Sequence, residues 1–174
     1  MAITITPVAA TGSGGVQNDY PLKQGVGRAG AIYDLSGYIS RSRINTAGAV
    51  LAFGQPLSPN GEDKVRAYTK ANGFAGFALI SDTFVPGTKS STVSGTTRSL
   101  PGYPDKTPVN VLESGTVWVY TNTAATQGEQ VALLDAGGDV VVAAGTASST
   151  VINGYFLETA AAGELVPIQF NGIF

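Results

Sequence analysis

The chain has 174 residues and a mass of 17.7 kDa, with 43% hydrophobic residues, 13% charged residues and a net charge of −2. This length suits one ordinary domain, and the lack of any His or Cys excludes a Ser-His-Asp or Cys-His nucleophilic site, a conventional zinc site and a disulfide framework. No apolar run approaches the roughly 18 residues of a membrane-spanning helix, and no signal-peptide pattern opens the chain, so we expect no membrane partner. A pI near 5.0 argues against nucleic acid as a partner.

The charges are distributed unevenly along the chain. All ten basic residues and six of the twelve acidic residues lie in residues 1–106, which therefore carry +4. Residues 107–174 carry the other six acidic residues and hence −6. Two regions of opposite sign suit docking on a charged surface or against copies of the same chain, although uneven solvation of two sets of loops would give the same pattern.

Residues 1–35 are rich in Gly, Ala and Thr and show no sustained period of helix or strand. We predict an extended N-terminal arm that becomes ordered against a partner. Residues 25–30, GVGRAG, match the G-x-G-x-x-G pattern of dinucleotide sites, but a buried strand before it and a helix after it are both missing. The glycines therefore indicate a flexible arm and not a phosphate site.

From residue 47 onward, short apolar runs alternate with turn signals, which predicts strands. The strand candidates are 49–53, 64–68, 74–80, 109–112, 116–121, 130–134, 139–143, 155–158 and 165–170. Residues 84–108 hold four prolines and a Ser/Thr/Gly tract and are predicted to form a long Pro/Gly-rich loop, whereas residues 135–138 predict a tight hairpin. The predicted fold class is all-β: a small β-barrel or β-sandwich over residues 36–174, preceded by the arm at 1–35.

Two segments resemble each other within the chain. The motif GQPL at 54–57, a strand through Val65 and a Gly-aromatic-apolar run from Gly73 parallel GEQV at 128–131, a strand through Val140 and NGYFL at 153–157. An internal duplication would produce this parallel, and so would chance similarity among strands rich in Gly and Val.

The sequence indicates no catalytic, cofactor or metal site. Paired carboxylates are the one general acid–base chemistry easily open to a chain without His, and no spacing of its acidic residues singles out a pair. A carboxylate-pair hydrolase stays open as an alternative, distinguished by two acids that face each other across a cleft. Asp135 and Asp139 flank the predicted hairpin and offer too few oxygen ligands for calcium.

Trp118 and Tyr120 lie on the same face of a predicted strand. If exposed, this pair would form a platform on which a sugar stacks; if buried, it would be part of the core. We expect the core placement, because aromatic residues in strands are more often buried.

Charged side chains are the candidates for an interface. Arg41 and Arg43, on a strand, would point to one face and bind carboxylates of a neighbouring subunit, or would simply be solvated on an edge strand. The predicted interface residues are Arg28, Arg41 and Arg43 on the basic side and Glu113, Glu129 and Glu158 on the acidic side.

A family resemblance rests on five segments, which together span roughly residues 45–174. Residues 73–80 (GFAGFALI), 108–120 (PVNVLESGTVWVY), 127–131 (QGEQV), 154–157 (GYFL) and 162–168 (AGELVPI) resemble tailed-phage capsid cement or decoration proteins. The resemblance implies a small β-barrel or β-sandwich, often trimeric, on the outer capsid surface where capsomers meet. It further implies a virion structural protein, made in the host cytoplasm, that binds the lattice of the major capsid protein without catalysis. A receptor- or glycan-binding domain of a phage tail fibre is the alternative.

Overall fold

The computed structural model describes residues 27–35, 37–81, 87–135 and 137–172. Within them the chain is all-β, as predicted, with a single 3₁₀ turn at Lys70–Asn72 and no α-helix. The strands are β1 (Ile39–Asn45), β2 (Leu51–Ala52), β3 (Pro56–Pro59), β4 (Lys64–Ala67), β5 (Gly76–Ala78), β6 (Gly87–Val93), β7 (Thr96–Tyr103), β8 (Pro108–Tyr120), β9 (Gln130–Leu134), β10 (Val140–Val142), β11 (Ser149–Phe156) and β12 (Leu165–Phe170). Of the two predicted architectures, the sandwich-like one is observed, and the strands do not close into one barrel.

Nine strands form one sheet in the order β1-β4-β3-β5-β8-β12-β11-β9-β10, and β2, β7 and β6 form a second, smaller sheet. The middle of the large sheet is β8, which has 13 residues and joins the two predicted strands 109–112 and 116–121 into one. Gly115, with φ of +132°, lets the backbone continue where a side chain would be strained. Residues 108–114 of β8 pair with β1 and 115–120 pair with β12.

Of the two explanations for the internal resemblance, the strand pairing favours a duplication. β3 lies between β4 and β5, and β9 lies between β10 and β11, with all four pairings antiparallel. The Gly54 N–H donates to the carbonyl of Ala78 at 2.7 Å, and the Gly128 N–H donates in the same way to that of Phe156 at 2.8 Å. The same connections in the same register indicate one strand unit used twice.

Strand β8 belongs to both copies of this unit. Its residues 108–114 pair with β5 and β1, and β1 pairs in parallel with β4 at Asn45↔Val65. In the second copy β12 pairs with β11 and β8, and Thr121, just after β8, bridges Val140 in parallel. We call β1, β4, β3, β5 and residues 108–114 the first ring, and residues 115–121, β10, β9, β11 and β12 the second ring.

Each ring has its own hydrophobic cluster. Leu57, Val65 and Val109 belong to the cluster of the first ring, and all three are fully buried. The cluster of the second ring is larger and extends onto the outer side of the first ring, where Phe77 meets Phe170 with ring centroids 5.1 Å apart. The two rings therefore pack directly against each other.

The predicted long loop at 84–108 is wrong for residues 87–103, which form the β6–β7 hairpin. The two strands pair antiparallel from Gly87↔Gly102 to Val93↔Thr96. Ser94 and Gly95 make the turn, both with positive φ, which matches the right-handed twist of the paired strands. The Ser/Thr content suggested a loop, but threonine is also a good strand former, and tertiary contacts decide between the two.

The hairpin is held against the second ring by residues near its tip. The Arg98 guanidinium stacks over the Tyr120 ring, 4.8 Å from its centroid, and donates to the carbonyl of Gly163 at 2.6 Å. The N–H of Ser94 donates to the side-chain oxygen of Asn122, and Val93 is buried. The hairpin is thus an insertion in the first ring that packs on the second.

Close backbone approach makes Gly76 the most sensitive glycine of the first ring. Its φ is +135°, and an added Cβ would lie 2.1 Å from the carbonyl oxygen of Leu112 on β8. We expect Gly76→Ala to lower the free energy of unfolding by about 3 kcal/mol, measured by urea denaturation. Gly61→Ala is the matched control, since its φ is also positive but its Cβ meets open space; we expect a loss of about 1 kcal/mol there. Equal losses in the two variants would contradict the steric argument.

Candidate functional site

Residues 27–35 lie against β8. The backbone N–H of Trp118 donates to the carbonyl of Ala31 at 2.9 Å, and the backbone N–H of Gly30 donates to the carbonyl of Trp118 at 2.8 Å. The Thr116 hydroxyl donates to the carbonyl of Asp34 and accepts from the Asp34 N–H. This part of the predicted arm is therefore bonded to the domain, and the remainder, residues 1–26, lies outside the described residues.

Trp118 is in the core, as expected. Its side chain is buried beneath Gly27, where an added Cβ would lie 2.1 Å from the indole, and the ring edge meets Tyr33 with centroids 5.6 Å apart. Tyr120 is half-buried, and its ring face carries Arg98. The pair does not form an exposed platform for a sugar.

Arg41, Arg43 and Glu113 form one charged cluster, which we call the Arg–Glu–Arg cluster. The Arg41 Nε lies 3.0 Å from Glu113 Oε2, and the Arg43 Nη2 lies 2.8 Å from Glu113 Oε1. The Arg43 and Glu113 side chains are 19% and 20% exposed, whereas that of Arg41 is 68% exposed. With two guanidinium groups and one carboxylate, the cluster keeps a net charge of +1.

The register of β1 against β8 brings this cluster together. Arg41 pairs with Val111 and Arg43 with Val109, so both side chains lie on one face, as the sequence predicted. The register shifts between Ile39 and Ser40, and Glu113 has no partner on β1 at that point. The acidic residue that we assigned to the opposite side of a subunit contact thus binds both arginines within its own chain.

A cavity of about 370 Å³ opens beside the cluster. Its walls include Ile39, Pro59 and Phe74 together with the three charged side chains. The Nε of Arg43 is buried and has no hydrogen-bond partner among the residues that the structure describes. Charged side chains beside apolar walls of a cavity are the usual arrangement of a ligand site.

The other three predicted interface residues lie elsewhere. Arg28 is exposed in the segment that precedes β1. The carboxylate of Glu129 accepts from the N–H of Thr126 at 2.6 Å, and that of Glu158 accepts from the Tyr33 hydroxyl at 3.3 Å. The six residues therefore do not make one site, and their role in an interface stays a prediction.

Sequence reasoning missed a second polar site, between the β6–β7 hairpin and the turn before β10. Alternation along β6 points Lys89 inward, and its Nζ donates to Gln55 Oε1 at 2.8 Å. Burial lowers the pKa of Lys89, partly opposed by the charge of Asp139; burial raises the pKa of Asp139, partly opposed by Lys89. The only hint in the sequence was the alternation around Lys89, which the loop prediction concealed.

Asp135 belongs to a different contact. The Lys70 Nζ donates to it at 2.9 Å and the Thr150 hydroxyl at 2.8 Å, and these bonds hold the pKa of its carboxyl below the usual value. In the described part of the chain, no group of three or more His, Cys, Asp or Glu is placed to hold a metal ion. Nor does any helix there have the length and apolar character needed to cross a membrane.

Comparison with known proteins decides the family. The family model described as "Structural cement protein (E217 gp24/Pam3 gp6)" matches residues 16–171. The chain belongs to the structural cement protein family. This family resemblance was predicted from the sequence and is confirmed, and this cement protein is a structural component of the phage particle.

The comparison with solved structures includes two phage proteins. A chain of "The capsid of Myoviridae Phage XM1" is 15% identical, with a TM-score of 0.58, and the match covers 90% of the cement protein and 97% of that chain. The "head fiber gp8.5 N base in bacteriophage phi29" is also 15% identical, with a TM-score of 0.41 and coverage of 79% and 98%. At this identity the first likeness shows the fold alone. No curated protein matches the cement protein.

The raised pKa of Asp139 predicts a pH dependence of stability. The folded protein binds this proton more tightly than the unfolded chain, so the group stabilises the fold below its unfolded pKa, and that contribution is lost as the pH rises through the folded pKa. We expect the melting temperature of the wild type, relative to Asp139→Asn, to increase as the pH falls from 6 towards 4. A difference that stays constant over this range would contradict the buried placement of Asp139.

Proposed function

We propose that this cement protein binds the outer surface of the phage capsid at the junctions of capsomers and stabilises the lattice of the major capsid protein. The observation that carries the proposal is the match to the structural cement family over residues 16–171. We further propose that the protein is not an enzyme and uses no cofactor, in keeping with a family of structural proteins.

The surface of the structure supports a binding role. Leu35, Tyr38 and Ile39 are exposed apolar side chains just before and at the start of β1, and Ile39 lines the same cavity as the Arg–Glu–Arg cluster. Exposed apolar residues close to charged ones are typical of protein interfaces. The alternative of a glycan-binding domain needed an exposed Trp118/Tyr120 platform, which the structure does not provide.

We keep two predictions from the sequence as proposals. Residues 1–35 form an arm that contributes to capsid attachment, and residues 36–174 form the decoration domain. Residues 27–35 are bonded to β8. We therefore assign the contact with a neighbouring protein to residues 1–26 of the arm.

Capsid binding is tested by co-sedimentation with assembled capsids that lack the cement protein. We expect the purified chain to pellet with them and to raise the temperature at which they disrupt. A variant that lacks residues 1–26 should keep the melting temperature of the domain but pellet less. A full chain that stays in the supernatant would contradict the function, and equal pelleting of the two forms would contradict the role of the arm.

We also propose that the protein self-associates, as a trimer. The +4 and −6 regions allow head-to-tail contacts, and a cyclic oligomer closes such contacts. Because exposed ion pairs contribute only about 0–1 kcal/mol each, we expect added salt to weaken the oligomer only modestly. Light scattering at micromolar concentration gives the mass; a stable, folded monomer would defeat a trimer in solution.

A further inference from the structure

The two rings correspond residue by residue, so their differences can be located. In the first ring Arg41 pairs with Val111, and in the second ring the corresponding pair is Val117 with Ile168. By the same register Arg43 corresponds to Val119. The strands β5 and β11 give the match on the other side, where Ala78 pairs with Val111 and Phe156 with Ile168.

At these positions the second ring is closed and the first is open. Val117 and Val119 are fully buried in the hydrophobic cluster of the second ring, together with Phe170, which corresponds to Glu113. The first ring has two arginines and a glutamate instead, beside the cavity of about 370 Å³. A site that one copy fills with apolar side chains is left open and charged in the other.

The charges of the Arg–Glu–Arg cluster do not cancel. Both Glu113 oxygens already bind a guanidinium, the net charge is +1, and the buried Nε of Arg43 has no acceptor in the described part of the chain. An unpaired buried donor destabilises a fold unless something else binds it. A second carboxylate is the group that matches a guanidinium in both charge and planar geometry.

The apolar residues that line the cavity indicate which kind of side chain lies next to that carboxylate. Ile39, Pro59 and Phe74 line the same cavity. We propose that the mouth of the first ring binds a protein carboxylate next to an apolar side chain, from a subunit of the capsid lattice. The choice of the capsid as the source of the carboxylate rests on the proposed function. The prediction that the pocket binds a carboxylate is independent of that function.

The carboxylate chemistry is tested without capsids, by NMR of the arginine Nε–H groups. The probe is phenylacetate, and its neutral isostere phenylacetamide is the control ligand. We expect phenylacetate to shift the Arg43 Nε–H signal in a saturable way and phenylacetamide not to. Arg66 is the internal control, since its Nε is also buried and unpaired, but its pairing with Ser58 puts it on the opposite face of β4 from the pocket. No shift at Arg43, or equal shifts at Arg43 and Arg66, would overturn the site.

The second ring itself supplies the decisive variant. Arg41→Val, Arg43→Val and Glu113→Phe together give the first ring the side chains of the second. Because Arg43 and Glu113 are mostly buried, and buried ion pairs are often replaced by apolar residues without loss of stability, we expect a melting temperature close to that of the wild type. If the triple variant does not fold, Arg43→Gln serves instead, since it leaves Arg41 and Glu113 paired. In these variants phenylacetate binding is followed on the ligand's own NMR signals, because Arg43 is no longer present to report it. Either variant should lose phenylacetate binding and most of its pelleting with capsids, whereas Arg66→Gln should keep both.

The possible failures are distinguishable. A wild type that does not pellet contradicts the proposed function but leaves the phenylacetate result as a separate measurement of the pocket. A variant that loses phenylacetate binding but pellets like the wild type overturns the capsid as the partner. Loss of self-association with unchanged pelleting assigns the pocket to a second copy and overturns the proposal.

A form ending at Gly172, which lines the pocket, should bind phenylacetate like the full chain; tighter binding would show that residues 173–174 are the occupant and would overturn the proposal.

Discussion

The structure depends on one strand that takes part in two closed patterns of hydrogen bonding. Residues 108–114 of β8 pair with β1 and β5, and residues 115–120 pair with β12 and with the segment at residues 30–34. Because side chains alternate along a strand, a shift of β8 by one residue would move the inward-facing valines of both rings to the outside. The register of β8 therefore determines both hydrophobic clusters and, through Val109 and Val111, the position of the arginines on β1.

The features that the two rings share form their hydrophobic cores. The features in which they differ are the ones to which we assign a function. The shared features are the glycine turns at Gly54 and Gly128 and the strand register that follows each. The first ring adds the β6–β7 hairpin between β5 and β8, whereas only residues 157–164 connect β11 to β12. The first ring also carries the Arg–Glu–Arg cluster in place of closed apolar packing.

The two polar sites differ in what the protein does with buried charge. Burial lowers the pKa of Lys89 and raises that of Asp139, each partly opposed by the charge of the other, and Lys89 also donates to Gln55 at 2.8 Å. The Arg–Glu–Arg cluster keeps a net positive charge at a mouth that is open to solvent. The Arg–Glu–Arg cluster is the one of these two sites at which we propose that a further group binds.

The sequence by itself determined the all-β class, the family and most of the second ring, because strands such as β9 and β12 are apolar runs bounded by glycine turns and need no distant contact to be recognised. It also placed Arg41 and Arg43 on one face, since alternation along a strand is a local property. Only the tertiary structure decided that 87–103 is a hairpin, since Ser/Thr-rich segments form strands when a partner strand is available. Likewise, only the register between β1 and β8 brought Glu113 to both arginines, because residues 70 positions apart meet through long-range pairing that no local pattern encodes.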